Sequence, residues 1–187
     1  MTAPLKRAGL LVGIIAAAIA AFFAVSTIAP SAAKAQSGTP HWVLELKDGV
    51  VDIELLPAVA PLHTQRIVEL TEAKFYDGIV FHRVIDGFMA QSGDPTGTGM
   101  GGSDKPDVQA EFNQESFTRG AVGAARSSDP NSFNSQFFIC FQDCTFLNGQ
   151  YTVFGRVVSG MEAVDKITRG EPPATPDKII SAKIEYK

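Results

Sequence analysis

Arg83 stands in the stretch FHRVIDGFMAQSGD, residues 81–94, two positions after one phenylalanine and five before the next. A guanidinium among apolar side chains must be hydrogen-bonded or have a task, because desolvating it unpaired is costly. Two glutamines raise the same question, Gln91 in this stretch and Gln136 in NSQFFICF. No nucleophile accompanies them. The chain has no G-x-S-x-G elbow and no H-E-x-x-H, and His41, His63 and His82 are not paired at helical metal spacing. What remains is a donor-only cation, two neutral amides and an apolar surround. Such a set is harder to absorb into an ordinary core than the apolar residues around it.

The elements that must carry these residues are short. Trp42–Leu46 and Val50–Leu55 alternate as strands around the Lys47-Asp48-Gly49 turn, which makes a hairpin. Pro57 and Pro61 break the chain. A helix is expected from Thr64 or His63 to about Ala73, with Ile67, Val68 and Leu70 as its apolar stripe. Val80–Ile85 and Phe88–Gln91 read as a strand pair about Asp86-Gly87. Short apolar segments follow at 121–126 and 135–140, then a strand Tyr151–Val158, a short helix Met161–Ile167 and a closing strand Ile180–Tyr186. Many short strands and two helices fit a barrel with helical plugs better than βαβ repeats. Strand alternation puts Phe81 and Arg83 on one face, His82 on the other, Met89 with Gln91, and Gln136 with Phe138. It puts Phe88 on the face opposite Met89 unless the strand twists. His82 reads as a hydrogen-bonded structural histidine.

The first 35 of the 187 residues have a different composition. Lys6 and Arg7 precede an uncharged apolar run from Ala8 to Ile28, and Ala33-Lys34-Ala35 is an A-x-A-like triplet. That is the order of a secretory signal cleaved after Ala35. The alternative is a retained membrane anchor at 8–28, because the run is long enough to span a bilayer. Both readings export the domain, to the periplasm or the medium in the first case. Residues 36–40 read as a linker and 41–187 as the folded domain. Without Lys6, Arg7 and Lys34 the chain keeps 13 basic and 20 acidic residues, a net −7. That balance offers no footprint for nucleic acid.

Cys140 and Cys144 are four apart, so a disulfide needs a turn at Gln142-Asp143. The pair reads equally well as one buried and one loop thiol. No second pair of soft ligands lies nearby to complete a metal site. The glycine-rich GDPTGTGMGG at 93–102 lacks the ending of a P-loop and reads as a turn-rich loop needing positive φ angles.

FHRVIDGFMAQSGD, GTGMGG, NSQFFIC and VFGRVVSGMEAVDKI together resemble the cyclophilin family of peptidyl-prolyl isomerases, from about Trp42 to Tyr186. The resemblance implies a mainly β fold, a closed eight-stranded antiparallel β-barrel capped by two α-helices. It implies catalysis of rotation about X-Pro bonds with no cofactor and no metal. Arg83 matches the catalytic arginine of the family. Phe88, Met89, Gln91 and Leu147 match pocket residues. Gln136 matches the glutamine that holds substrate backbone, and Phe138 the phenylalanine under the proline ring. Phe146 and Tyr151 stand where eukaryotic relatives often carry tryptophan and histidine, which implies weak cyclosporin binding at most. In GAARSSDPNSF, Arg126-Ser127 stand where eukaryotic relatives have Ala-Asn, and their backbone groups can still be offered to substrate. Phe133 in that loop either narrows the groove or packs under it. The implied partners are proline-containing peptides; with the leader, unfolded exported proteins are the expected clients, and a monomer is the default reading. A non-catalytic proline-peptide-binding or chaperone module of the same fold is the alternative, and a serine hydrolase on another fold is a more distant one.

Overall fold

The computed structural model describes residues 38–187. The signal or anchor reading of 1–35 and the start of the linker lie outside the described residues. The rest of the linker is already structured. Thr39 exchanges backbone hydrogen bonds with Lys187 at 2.9 and 3.1 Å, and the first strand begins at Pro40.

Eight strands form one antiparallel sheet: β1 Pro40–Leu46, β2 Gly49–Leu55, β3 Arg83–Ile85, β4 Met89–Ser92, β5 Ala121–Ala124, β6 Phe137–Cys140, β7 Val153–Ser159 and β8 Ser181–Tyr186. Their spatial order is β3-β4-β6-β5-β7-β2-β1-β8. The fold is mainly β, as expected, and the sheet curls. Direct pairing of β3 with β8 does not close it into a barrel. Isolated bridges between Val84 and Gly170 and between Val80 and Lys178 cross the gap instead. The crossing segment contains Pro172, Pro173 and Pro176. Proline has no N–H to give a ladder, so a continuous strand is excluded there.

Helix α1 spans Pro61–Glu72 and packs against β8 and β7; α2, Met161–Val164, packs against β2. α1 starts two residues before His63 because Pro61 takes its first turn, where a missing N–H costs nothing. No residue of its own caps it. The Glu111 carboxylate does so from a distant loop, accepting from the backbone N–H of Leu62 at 3.1 Å and of His63 at 3.0 Å, and bonding His63 Nδ1 at 2.7 Å. α2 is shorter than expected because the chain tightens after Val164. Lys166 and Ile167 donate to carbonyls three residues back, at 3.2 and 3.1 Å.

The main core fills the curl, with Trp42, Tyr76, Phe81 and Phe137 in tilted and edge-on contact. Phe133 belongs to it too, stacked on His63 with ring centroids 4.5 Å apart, so it packs under the loop and leaves the groove open. A second cluster of Met89, Phe117, Ala121, Phe138, Cys140, Cys144, Leu147 and Val153 lies on the other face. That second cluster is the floor of the candidate site.

Candidate active site

Strand register builds the site. β3 pairs Arg83 with Gln91, β4 pairs Gln91 with Phe138, β6 pairs Phe138 with Gly123, and β7 pairs Gly123 with Val153. Paired residues of an antiparallel sheet share a face. One row across five strands therefore presents a guanidinium, an amide and an aromatic ring side by side, next to a position with no side chain. The following row brings Ile85, Met89 and Cys140 together.

Above these rows is a pocket of about 330 Å³ lined by Arg83, Phe88, Met89, Gln91, Ala125, Arg126, Phe138, Phe146, Leu147 and Tyr151. A second pocket of about 310 Å³ adjoins it and shares Gln91, Ala125 and Arg126, with Ser127 and Gln136 on its far side. The expected site residues thus meet in one continuous groove. Phe138 forms its floor, stacked on Phe117 at 5.6 Å and edge-on to Tyr151 at 6.0 Å. Phe88 reaches the groove because it precedes β4 and sits in a turn, donating its N–H to Ile85 O at 3.0 Å, where strand alternation does not apply. Phe146, on a 3₁₀ turn at 145–147, is exposed and stands 5.4 Å from Phe88.

The face shared by Phe81 and Arg83 in the sequence reading is absent. β3 begins only at Arg83, and the irregular chain before it turns Phe81 into the main core. His82 is buried as expected, yet neither ring nitrogen has a hydrogen-bond partner. Burial holds its pKa below the ordinary histidine value, against the pull of Asp94. His63 is held low as well, burial outweighing its bond to Glu111. Both histidines therefore favour the neutral form in the fold. The unfolded chain takes up protons near pH 6.5, before the folded one does, so stability is full above that pH and falls as pH drops below it. Denaturation midpoints at pH 7.5 and 5.5 should show a loss at the lower pH, reduced in His82→Asn. Equal midpoints would rule out this linkage.

A directed hydrogen-bond relay runs along the groove wall. Arginine only donates, so the orientation of each amide after it is fixed. Arg83 NH1 donates to Gln91 Oε1 at 3.5 Å, and Gln91 Nε2 donates to Gln136 Oε1 at 2.9 Å. Gln136 Nε2 donates to the carbonyls of Gly99 and Gly101 at 3.0 and 2.8 Å. Both donor hydrogens of Gln136 are thereby committed to the glycine-rich loop. That differs from the expected hold on substrate backbone, and makes Gln136 a brace for the groove wall. The loop has its own anchor. The buried Asp94 carboxylate accepts from the N–H groups of Thr96, Thr98 and Gly99 at 2.7, 3.1 and 2.6 Å. Burial opposes ionisation, but the bonds from Thr96, Gly101 and Gly99 hold its pKa far below the ordinary carboxylate value. These N–H groups face an internal acid rather than a phosphate, and Gly97 and Gly99 adopt the expected positive φ of 69° and 84°.

Sequence reasoning missed Glu171. It lies 88 residues from Arg83, yet its Oε2 accepts from Arg83 Nε at 2.9 Å, placed there by the Val84–Gly170 bridge. No local pattern could have found it. Cys140 and Cys144 are free thiols, which excludes the disulfide; Cys140 is buried in β6, and Cys144 is the loop thiol, itself buried. Burial raises both thiol pKa values, which makes them inert packing residues. Ser127 has its N–H bonded to Ser132 Oγ at 2.9 Å, so the backbone donor expected for substrate is already engaged.

The family model described as cyclophilin type peptidyl-prolyl cis-trans isomerase/CLD matches residues 41–184. Probable peptidyl-prolyl cis-trans isomerases of Brucella suis and Brucella abortus are 51% and 50% identical, over 91% of this chain and 95% of theirs. A cyclophilin crystal structure from Hirschia baltica superposes with a TM-score of 0.71 at 30% identity, covering 76% of this chain and 73% of that one. A cyclophilin type isomerase from Cryptosporidium parvum, crystallised in the presence of the dipeptide Ala-Pro, gives a TM-score of 0.73 at 27% identity, over 79% of this chain and 99% of its own.

Proposed function

The chain belongs to the cyclophilin-type peptidyl-prolyl cis-trans isomerases, and from that premise we propose that Arg83 drives rotation about X-Pro bonds of exported proteins held in the groove. Amide resonance sets a barrier of about 18–20 kcal/mol to that rotation. No bond is made or cleaved, so the reaction calls for no nucleophile. In the twisted transition state the proline nitrogen loses conjugation and its lone pair becomes a hydrogen-bond acceptor. A guanidinium aimed at it gains an interaction absent from the planar ground state, and differential binding of this kind lowers a barrier.

The observation that carries this reading is how Arg83 is held. Glu171 engages its Nε and Gln91 one hydrogen of NH1, and an arginine has five N–H groups. The others remain for substrate, beside an apolar pocket that can grip a proline ring. Phe88, Met89, Phe138 and Leu147 also keep out water, which favours the charge-separated planar amide. The Ala-Pro dipeptide present with the Cryptosporidium relative supports proline peptides as substrates. The bridges across the β3–β8 gap support a sheet that behaves as a closed barrel. The test is NMR exchange at an Ala-Pro bond with the intact chain and its Arg83→Ala variant. Peptide binding without acceleration by the intact chain would make it the non-catalytic module instead.

The exported clients rest on the leader sequence. Mass spectrometry of the protein from cell fractions should find a periplasmic chain beginning at Gln36. A full-length chain in the membrane fraction would favour the anchor, and a full-length cytoplasmic one would refute export altogether.

A further inference from the structure

Arg126 is the described arginine without a carboxylate partner; all the others form ion pairs. It is nevertheless fixed in place. Its Nε and NH2 donate to Gln150 O at 3.2 and 2.9 Å, its NH1 donates to Ser127 O at 2.9 Å, and its guanidinium lies 4.3 Å over the Tyr151 ring. All those partners are neutral, so its charge is uncompensated. Three of its five N–H groups are engaged, which leaves one on each terminal nitrogen. That residual fork matches the two oxygens of a carboxylate.

Its position gives the charge a use. Arg126 lines both the proline pocket and the adjoining pocket, and no acidic residue lines either. A chain of net charge −4 thus carries a locally positive groove. Successive residues of an extended peptide advance about 3.3–3.6 Å, so a side chain one or two residues from a bound proline reaches the second pocket. We propose that Arg126 selects substrates with an Asp or Glu within two residues of the proline, by pairing with that carboxylate. This rests on the isomerase reading of the groove and adds a substrate class to it.

A peptide set with Glu, Gln or Lys at each of the two positions before proline and the two after it tests the proposal, with kcat/KM for exchange measured by NMR. At one of these positions Glu should exceed Gln by about fivefold at low salt, the scale of a good charge-assisted pair. Lys should fall below Gln, and added salt should shrink the difference. In Arg126→Gln the Glu-to-Gln ratio should fall to about one, a readout independent of any loss of overall activity. Arg126→Lys, which keeps charge without the fork, should retain part of the ratio. A ratio near one in the unaltered chain at every position, with neutral peptides still accelerated, would overturn the proposal and leave the isomerase intact. Acceleration of no peptide would sink the isomerase reading instead, and the Glu-to-Gln ratio of binding in the same titrations would then decide the charge preference.

Discussion

Arg83→Ala lowers the rate of Ala-Pro exchange by about two to three powers of ten, the worth of one fixed donor aimed at a transition state, 3–4 kcal/mol. The fold should survive the change. The Arg83 side chain is 42% exposed, and its ion pair with the half-exposed Glu171 is of a kind worth at most about 1 kcal/mol. Alanine leaves β3, an end strand of the sheet, with its backbone pairing to β4 unchanged. The loss should fall mainly on kcat, because the missing bond forms only when the amide twists. Arg83→Lys keeps the charge but cannot hold Glu171 and Gln91 with one planar group while keeping donors for substrate, so it should recover only a small part of the rate. The measurement is NMR exchange at saturating peptide, with the fold verified by circular dichroism. A loss under tenfold in a folded variant would remove Arg83 from the reaction.

The sequence exposed the strands of this site better than their partnerships. Alternation correctly put Met89 with Gln91 and Gln136 with Phe138, because each pair lies in or beside a regular strand. It failed at Phe81 and Phe88, which lie just outside β3 and β4, where the chain is free to turn. Element boundaries decide such cases, and hydrophobic pattern locates them poorly. The groups that hold Arg83 were legible to different degrees. Gln91 is eight residues away, across a turn marked by Asp86-Gly87. Glu171 is 88 residues away and meets Arg83 only through an isolated bridge in a proline-rich crossing, so no window along the chain contains both. The roles attached to the site came from resemblance. Resemblance assigned Gln136 to substrate, whereas the hydrogen-bond directions assign it to the glycine-rich loop. Direction in such a network depends on all its members at once, and only the fold brings them together.

Gly123 shows how a residue with no side chain can shape a pocket. It sits beside Phe138 in the register of β5 and β6, and its missing Cβ leaves the space that the Phe138 ring occupies. A Cβ built there would lie 2.3 Å from Phe138 Cζ and 2.6 Å from Phe117 Cε1, both far inside van der Waals contact. Phe117 is fully buried and its backbone carbonyl accepts from Cys144 N at 2.6 Å, so it has little room to retreat. Phe138 has the groove above it. In Gly123→Ala the ring should therefore tilt upward, into the volume that a proline would fill. Overpacking of this kind typically costs about 1–3 kcal/mol of stability. The larger effect falls on activity: kcat/KM for proline peptides should drop at least tenfold, of order 1.4 kcal/mol, because the pocket floor has moved. Val122→Ala separates the two consequences. Val122 is the neighbouring residue on β5 and packs in the main core, away from the groove. It should destabilise by a similar amount and leave kcat/KM per folded molecule unchanged. Should Gly123→Ala keep full activity while losing stability, Phe117 rather than Phe138 will have yielded, and the shape of the proline pocket will not depend on that glycine.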